Sequence, residues 1–336
     1  MDGWVLCLTA RIPATRPLFQ WGCRRLARNR HCARRVGGNC RLPNDTRTRR
    51  FIDFAPLLIL PLLALQLRPR TAPWIFMWLM ALALYAGCKW LTFRAAMRLS
   101  ASAGVIRSLG YLFAWPGMDA AEFLDARHVP ERPHALEWAL AGAKTVFGAV
   151  LLWGIAKWAL PVHPLIAGWI GMTGVVFLLH FGLFYLLSLA WRSGGVAAAP
   201  IMKCPLLACS LGEFWGRRWN TAFNELAFRF TFRPLCRLTT PVFASVLVFD
   251  LSGLVHELVI SLPARGGYGL PTAYFLIQGL GVVAERTRLG RHLGLGRGLR
   301  GWLFTMVVTA GPACCLFHPW FINRVILPML TAIGAT

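Results

Sequence analysis

An all-α fold, a polytopic bundle of membrane-spanning helices, is predicted by three features of this 336-residue sequence. Apolar residues make up 57% of it and charged residues only 15%, whereas an ordinary soluble domain carries about 25% charged residues. Apolar runs near the length of a bilayer crossing recur from Phe54 to the end. The basic residues collect between those runs, as they do in the loops of membrane proteins.

The net charge of +23 invites a nucleic-acid reading, which the distribution of the charge excludes. It forms no single face or stripe, so no nucleic-acid partner is expected. Of the ten cysteines, Cys7, Cys23, Cys32 and Cys40 near the N-terminus match no zinc spacing, and all ten read as unpaired or packing thiols. No metal and no resident cofactor is expected.

Residues 1–50 differ in kind from the rest. They hold twelve arginines and two aspartates, with scattered Gly and Pro and no helical period. They read as a basic, disordered tail, or as non-native sequence from an upstream start codon. Residues 51–336 form the membrane-embedded domain. Its apolar runs are 54–67, broken by Pro56 and Pro61, then 73–93, 145–160, 164–191, 241–262, 268–284, 301–317 and 320–333. That is eight spans. The short first, sixth and eighth runs widen the range to six to nine. Between the second and third runs, 94–134 reads as an interfacial loop carrying the aromatic turn Tyr111 to Gly117, since Trp and Tyr favour the headgroup level. An amphipathic piece, 135–143, leads into the third run.

With the N-terminus cytoplasmic, the inside loops carry five, seven and five basic residues (94–134, 192–239 and 286–300). The outside loops carry Arg68 and Arg70, then none, then Arg265, then none. Every pair agrees in sign, so the positive-inside rule orients the chain. Ser210 to Arg237 then lies on the cytoplasmic side.

The polar groups that a membrane helix would normally exclude collect between Ser210 and Glu257. Ser210-Leu-Gly-Glu213 is a capping-box pattern, predicting a helix from Ser210 to about Phe230. On such a helix Arg217, Asn220 and Asn224 share a polar face, and Trp215, Trp219 and Phe223 a neighbouring aromatic one. The bland reading is a helix lying in the membrane interface. Further on, Asp250, His256 and Glu257 lie inside an apolar run of spanning length. Ionisable groups there usually face a bundle interior or a watered cavity. Ser252 and His256 are four apart and share a face, with Asp250 and Glu257 on an adjoining one. The bland reading is a packing histidine; the functional one is a general base, for which imidazole is suited near neutral pH. His180, in the fourth run, could line the same cavity but reads more simply as a packing or hydrogen-bonding residue.

The elements Glu213-Phe-Trp-Gly-Arg-Arg-Trp-Asn220 and Ser252-Gly-Leu-Val-His-Glu257 together resemble the wax-synthase-like branch of the membrane-bound O-acyltransferases. The resemblance covers 210–286 best and extends to the aromatic turn before Gly117 and to the Gly-Tyr-Gly-Leu-Pro-Thr run after the histidine. It implies acyl transfer from acyl-CoA, as co-substrate, to a hydroxyl acceptor such as a long-chain alcohol or another lipid. His256 would take the acceptor's proton, and Asn220 would orient the thioester or donate to the developing oxyanion. Trp215, Arg217, Arg218, Trp219, Asn224, Ser252 and Glu257 would line the substrate. The resemblance also implies a bacterial inner membrane, with membrane lipids as neighbours; oligomeric state is not written in these residues. The competing class is a transporter or proton-coupled permease using His256, Asp250 and Glu257. The two halves of the chain show no internal repeat, and the polar groups cluster in one region, which favours the enzyme.

Overall fold

The computed structural model describes residues 44–98 and 104–336, and the expected basic tail lies outside the described residues up to position 43. Thirteen helical elements follow one another: α1 (Asn44–Leu67), α2 (Pro73–Met97), α3 (Val105–Ala114), α4 (Ala120–Leu124), α5 (Ala135–Ala159), α6 (Pro164–Ser193), α7 (211–218), α8 (221–235), α9 (Pro241–Ala264), α10 (Leu270–Arg286), α11 (Arg288–Leu293), α12 (Gly298–Leu316) and α13 (319–332). No strand occurs among the described residues. Helix α1 begins at Asn44, so the end of the sequence-defined tail is already helical.

Six of these helices are long and apolar enough to cross a membrane: α1, α2, α5, α6, α9 and α12. The sixth predicted run becomes the 17-residue α10, and the eighth becomes α13. Six is the lower end of the predicted range. The amphipathic piece 135–143 does not stand apart; it is the first half of α5. Exposed Leu, Ile and Val side chains stud α1, α5, α9 and α12, as expected of surfaces that face lipid.

Helices α1 and α2 pack along each other, as do α5 with α6 and α9 with α10. The main core brings Leu152, Met172, Leu211, Phe249, Phe275 and Ile322 together from different helices. A second core forms around Tyr111, Trp115 and Phe123. There the expectation of aromatics at headgroup level fails, because Tyr111 and Trp115 are buried, at 0% and 4% exposure. The reason is Lys89, a buried cation on α2. Its ammonium donates to the Gly117 carbonyl and sits 3.4 Å from the centre of the Tyr111 ring. The Tyr85 hydroxyl donates to the Trp115 carbonyl (3.0 Å). The turn is thereby drawn into the bundle. Among the cysteines, Cys88, Cys209, Cys236, Cys314 and Cys315 are free thiols, whereas Cys204 is disulfide-bonded, against the expectation for that residue.

Several helices contain π-helical turns, among them 177–183 in α6, 214–218 in α7 and 257–261 in α9. Such turns occur frequently at functional sites. These three contain or adjoin His180, Trp215 and His256.

Candidate active site

The site is built where α9 crosses α10. Gly253 makes the close crossing possible: a Cβ there would lie 2.6 Å from the Thr272 Cα. His256 lies one turn beyond Gly253, and Phe275 lies three residues beyond Thr272. The close approach therefore lays the imidazole against the Phe275 ring, with centroids 4.4 Å apart. His256 Nδ1 is 2.7 Å from the Ser252 carbonyl oxygen. A carbonyl can only accept, so Nδ1 carries the proton and Nε2 is left with its lone pair. Nε2 has no hydrogen-bond partner among the described residues.

A run of rings leads from the histidine to the other signature residue. Phe275 lies 5.7 Å from Trp215, Trp215 lies 5.1 Å from Phe214, and Phe214 stacks on Trp219 at 5.7 Å. Asn220 follows. It occupies the left-handed region (φ 42, ψ 61), which Asn tolerates better than most residues. It divides α7 from α8, so the single helix predicted over 210–230 is broken, and Arg217, Asn220 and Asn224 do not share one face. The break is imposed from outside. Lys203 N donates to the Arg218 carbonyl (2.8 Å), and Thr221 N donates to the Ile201 carbonyl (3.0 Å). The Asn220 side-chain amide itself has no hydrogen-bond partner among the described residues.

The predicted capping box is present in altered form. The Ser210 hydroxyl accepts from Glu213 N (3.0 Å), but the Glu213 carboxylate accepts from Cys209 N (2.9 Å) rather than from Ser210. A second carboxylate, which sequence reasoning missed, completes the helix start. Buried Glu285 accepts from Leu211 N and Gly212 N at 2.8 and 2.9 Å. Removing it strands two amide donors, so Glu285→Ala should lower stability by about 3 kcal/mol. Thermal unfolding in detergent measures this, and Glu285→Gln, which keeps an acceptor, should recover part of the loss.

Several residues expected at the substrate have their polar groups committed to the fold. Arg218 pairs with Glu213 (2.7 Å) and donates to the Lys203 and Cys204 carbonyls. Asn224 donates to the Trp215 carbonyl (2.6 Å), and the Trp215 indole donates to Gln278 Oε1 (3.2 Å). The Ser252 hydroxyl donates to Val248 O (2.9 Å), and Glu257 caps α10 through one of its oxygens. Arg217 is exposed and has no partner among the described residues. Asp250 is half-buried and makes no hydrogen bond or ion pair among them, so Asp250, His256 and Glu257 are not joined into a relay. Gln278, which also donates to Val308 O (2.7 Å), is a lone polar residue in an apolar run and was open to the same argument that singled out His256. His180 lies near the site. Its neighbour Phe181 meets Trp219 at 6.4 Å, and its own Nδ1 is buried without a hydrogen-bond partner.

On α8, Glu225 is crowded by the carboxylates of Asp119 and Glu122, although part of its side chain reaches solvent. Desolvation first, then Asp119 by charge and hydrogen bond, then Glu122, push its carboxyl up to about 7, with Lys203 opposing. The folded chain therefore binds the extra proton between the ordinary 4.5 and 7. Stability from this group is complete at the lower value and falls as pH rises through the upper one. Thermal unfolding at pH values on either side of that window should show wild type losing more on alkalinisation than Glu225→Gln.

With this geometry in hand, residues 198–277 match the membrane bound O-acyl transferase family. That stretch holds both signature elements, and the resemblance to the wax-synthase-like branch is borne out. The chain is 31% identical over 146 residues to a probable long-chain-alcohol O-fatty-acyltransferase 7 of Arabidopsis thaliana, covering 39% of this chain and 42% of that relative. It is 30% identical over 134 residues to a long-chain-alcohol O-fatty-acyltransferase of Simmondsia chinensis, covering 33% and 38%. A third, probable long-chain-alcohol O-fatty-acyltransferase 9 of Arabidopsis thaliana, is 34% identical over 145 residues. The chain thus covers less than half the length of these curated relatives.

Proposed function

We propose that this chain is an integral-membrane O-acyltransferase that moves a fatty acyl group from acyl-CoA to the hydroxyl of a long-chain alcohol. The observation that carries the reading is the state of His256. Its Nδ1 proton is fixed on Ser252 O, and Nε2 is an unprotonated acceptor free of any hydrogen bond among the described residues. That is the form a general base needs. As the alcohol oxygen attacks the thioester carbonyl, Nε2 takes its proton, and the coenzyme thiolate leaves after the tetrahedral intermediate collapses. Asn220, whose side-chain amide is uncommitted, donates to the oxyanion. A thioester is already activated, so one base and one oriented donor suffice. Arg217, which has no partner among the described residues, lies beside the aromatic run and suits a phosphate of the donor.

The multi-pass membrane character of the chain agrees with its six long apolar helices. The basic loops favour a cytoplasmic N-terminus. The relatives named above are plant proteins and lend no support to a bacterial inner membrane.

The test is an acyl-transfer assay. Membranes carrying the chain receive labelled palmitoyl-CoA and a panel of acceptors, from fatty alcohols to diacylglycerol and sterol. Labelled ester formed best with a fatty alcohol is the expected result. Background levels with every acceptor, and again with short acyl donors, would exclude the reading and bring the transporter class forward.

A further inference from the structure

Three arginines meet where α9 ends at Ala264. Arg68, just after α1, donates through Nη2 to Leu262 O (3.2 Å). Arg324 of α13 donates through Nη1 to Ala264 O and Arg265 O, both at 3.1 Å. Cations at a helix C-terminus complement its dipole, and that accounts for these two side chains. It does not account for Arg265. The Arg265 side chain is exposed and has no partner among the described residues. Its backbone is left-handed (φ 51, ψ 41), at the place after a helix where glycine is the usual residue. The free cation thus stands where the backbone favours a residue without a side chain.

Arg265 and Arg324 line a cavity of about 500 Å³ whose other walls are Pro73, Pro263 and Ala264. That volume is within the roughly 300–1,000 Å³ of small-ligand sites. Both arginines are exposed, so an occupant reaches them from outside the fold. Arg68, bonded to the carbonyl that precedes Pro263, brings a third charge to the same turn. No ion pair joins any of the three to a carboxylate among the described residues. Like charges gathered in this way repel one another, and a bound anion relieves the repulsion. Arg70, Pro73 and Ala264 are the ends of membrane-length helices, and such ends reach the headgroup level. With a cytoplasmic N-terminus this end faces away from the cytoplasm, where cations are otherwise scarce in the chain.

We propose that this cavity binds a phosphate group, and its place at headgroup depth points to a phospholipid of the non-cytoplasmic leaflet as the carrier. Arg265 meets the phosphate with its free fork, and Arg324 with the donors that α9 does not use. A guanidinium matches phosphate oxygens two at a time. Pro73, Pro263 and Ala264 carry no charge and suit the glycerol and the first carbons of the acyl chains. A lipid held there joins α2, α9 and α13, which supply the walls. The site takes no part in the chemistry of His256 and does not depend on the transferase reading.

The full chain in detergent is stripped of lipid, and its thermal unfolding is followed as dioleoyl phosphatidylglycerol, dioleoylglycerol or inorganic phosphate is added. Phosphatidylglycerol should raise the unfolding temperature, and dioleoylglycerol, which lacks the phosphate, should not. The phosphatidylglycerol concentration for half the effect should rise roughly tenfold or more in Arg265→Gln, through loss of a charge-assisted contact. It should stay within about twofold in Arg70→Gln, an exposed cation at the same end that does not line the cavity. Arg265→Gly removes backbone strain along with the charge, so it keeps the test decisive if Arg265→Gln does not fold, and it should lose the response equally. Protection by inorganic phosphate alone, as strong and as sensitive to Arg265→Gln, would keep the phosphate site and make its ligand a free anion. No protection by either phosphate, or an equal weakening in Arg70→Gln, overturns the proposal.

Discussion

Membranes carrying His256→Ala are expected to form ester roughly a thousandfold more slowly than wild type, the midrange for loss of a general base. The loss should appear in kcat, with the acyl-CoA KM little changed, because the imidazole acts on the proton that moves in the transition state. His256→Gln is the sharper control. It keeps a polar side chain on α9 and the packing against Phe275, yet it has no lone pair basic enough to take a proton. Ester formation equal to wild type in the Gln variant, at matched expression, would remove His256 from the mechanism. Thermal unfolding separates this from misfolding, since only a packing role predicts that activity and stability decline together.

Asn220 carries the second large effect, and its backbone dictates how it should be tested. At φ 42 an alanine carries a penalty of about 1–2 kcal/mol for the left-handed conformation. Asn220→Ala therefore mixes strain with loss of the amide. Glycine enters that region freely, so Asn220→Gly removes the amide alone. It should lower kcat roughly a hundredfold or more, as deletion of an oxyanion donor does elsewhere, with the unfolding temperature near wild type. A Gly variant with full activity would show that Asn220 serves the turn and not the reaction.

Much of the molecule can be read from periodicity and burial. The long apolar helices appear in the sequence because a run of spanning length has few alternatives in lipid. Ser210 capping Glu213 N is legible because a cap is a local bond. His256 stands out because imidazole is rare inside an apolar run. The break at Asn220 is not legible. Local preference over 210–230 is helical, and the left-handed residue is fixed by the bond from Thr221 N to the Ile201 carbonyl and the bond from Lys203 N to the Arg218 carbonyl, whose partners lie well before it in sequence. Glu257 looks like a substrate group until the turn folds back and brings Gly269 and Thr272 onto its carboxylate. Buried Tyr111 and Trp115 mislead for a similar reason. An aromatic turn resembles an interfacial belt unless the Lys89 opposite it is seen to hold it inward. Local chemistry was visible, while partners supplied by distant backbone were not.

The π-helical turn around His180 has a consequence for the length of α6. Each such turn holds one residue more than the α-helix it interrupts, so the chain beyond it is rotated by about 100° relative to an unbroken helix. Ser188 and Leu189 are both fully buried with that offset in place, and the Ser188 hydroxyl donates to the Ala198 carbonyl (2.6 Å). Excision of a single residue from 177–183 would let the helix close up without losing a hydrogen bond, yet it would move Ser188 to the half-buried place of Leu187, Leu189 to that of Ser188, and exposed Ala190 into the core place of Leu189. The residue count on either side of His180 thus acts as a phase setting. A deletion there should disable the chain while leaving its helical content intact, and a compensating insertion before Ser188 should restore it.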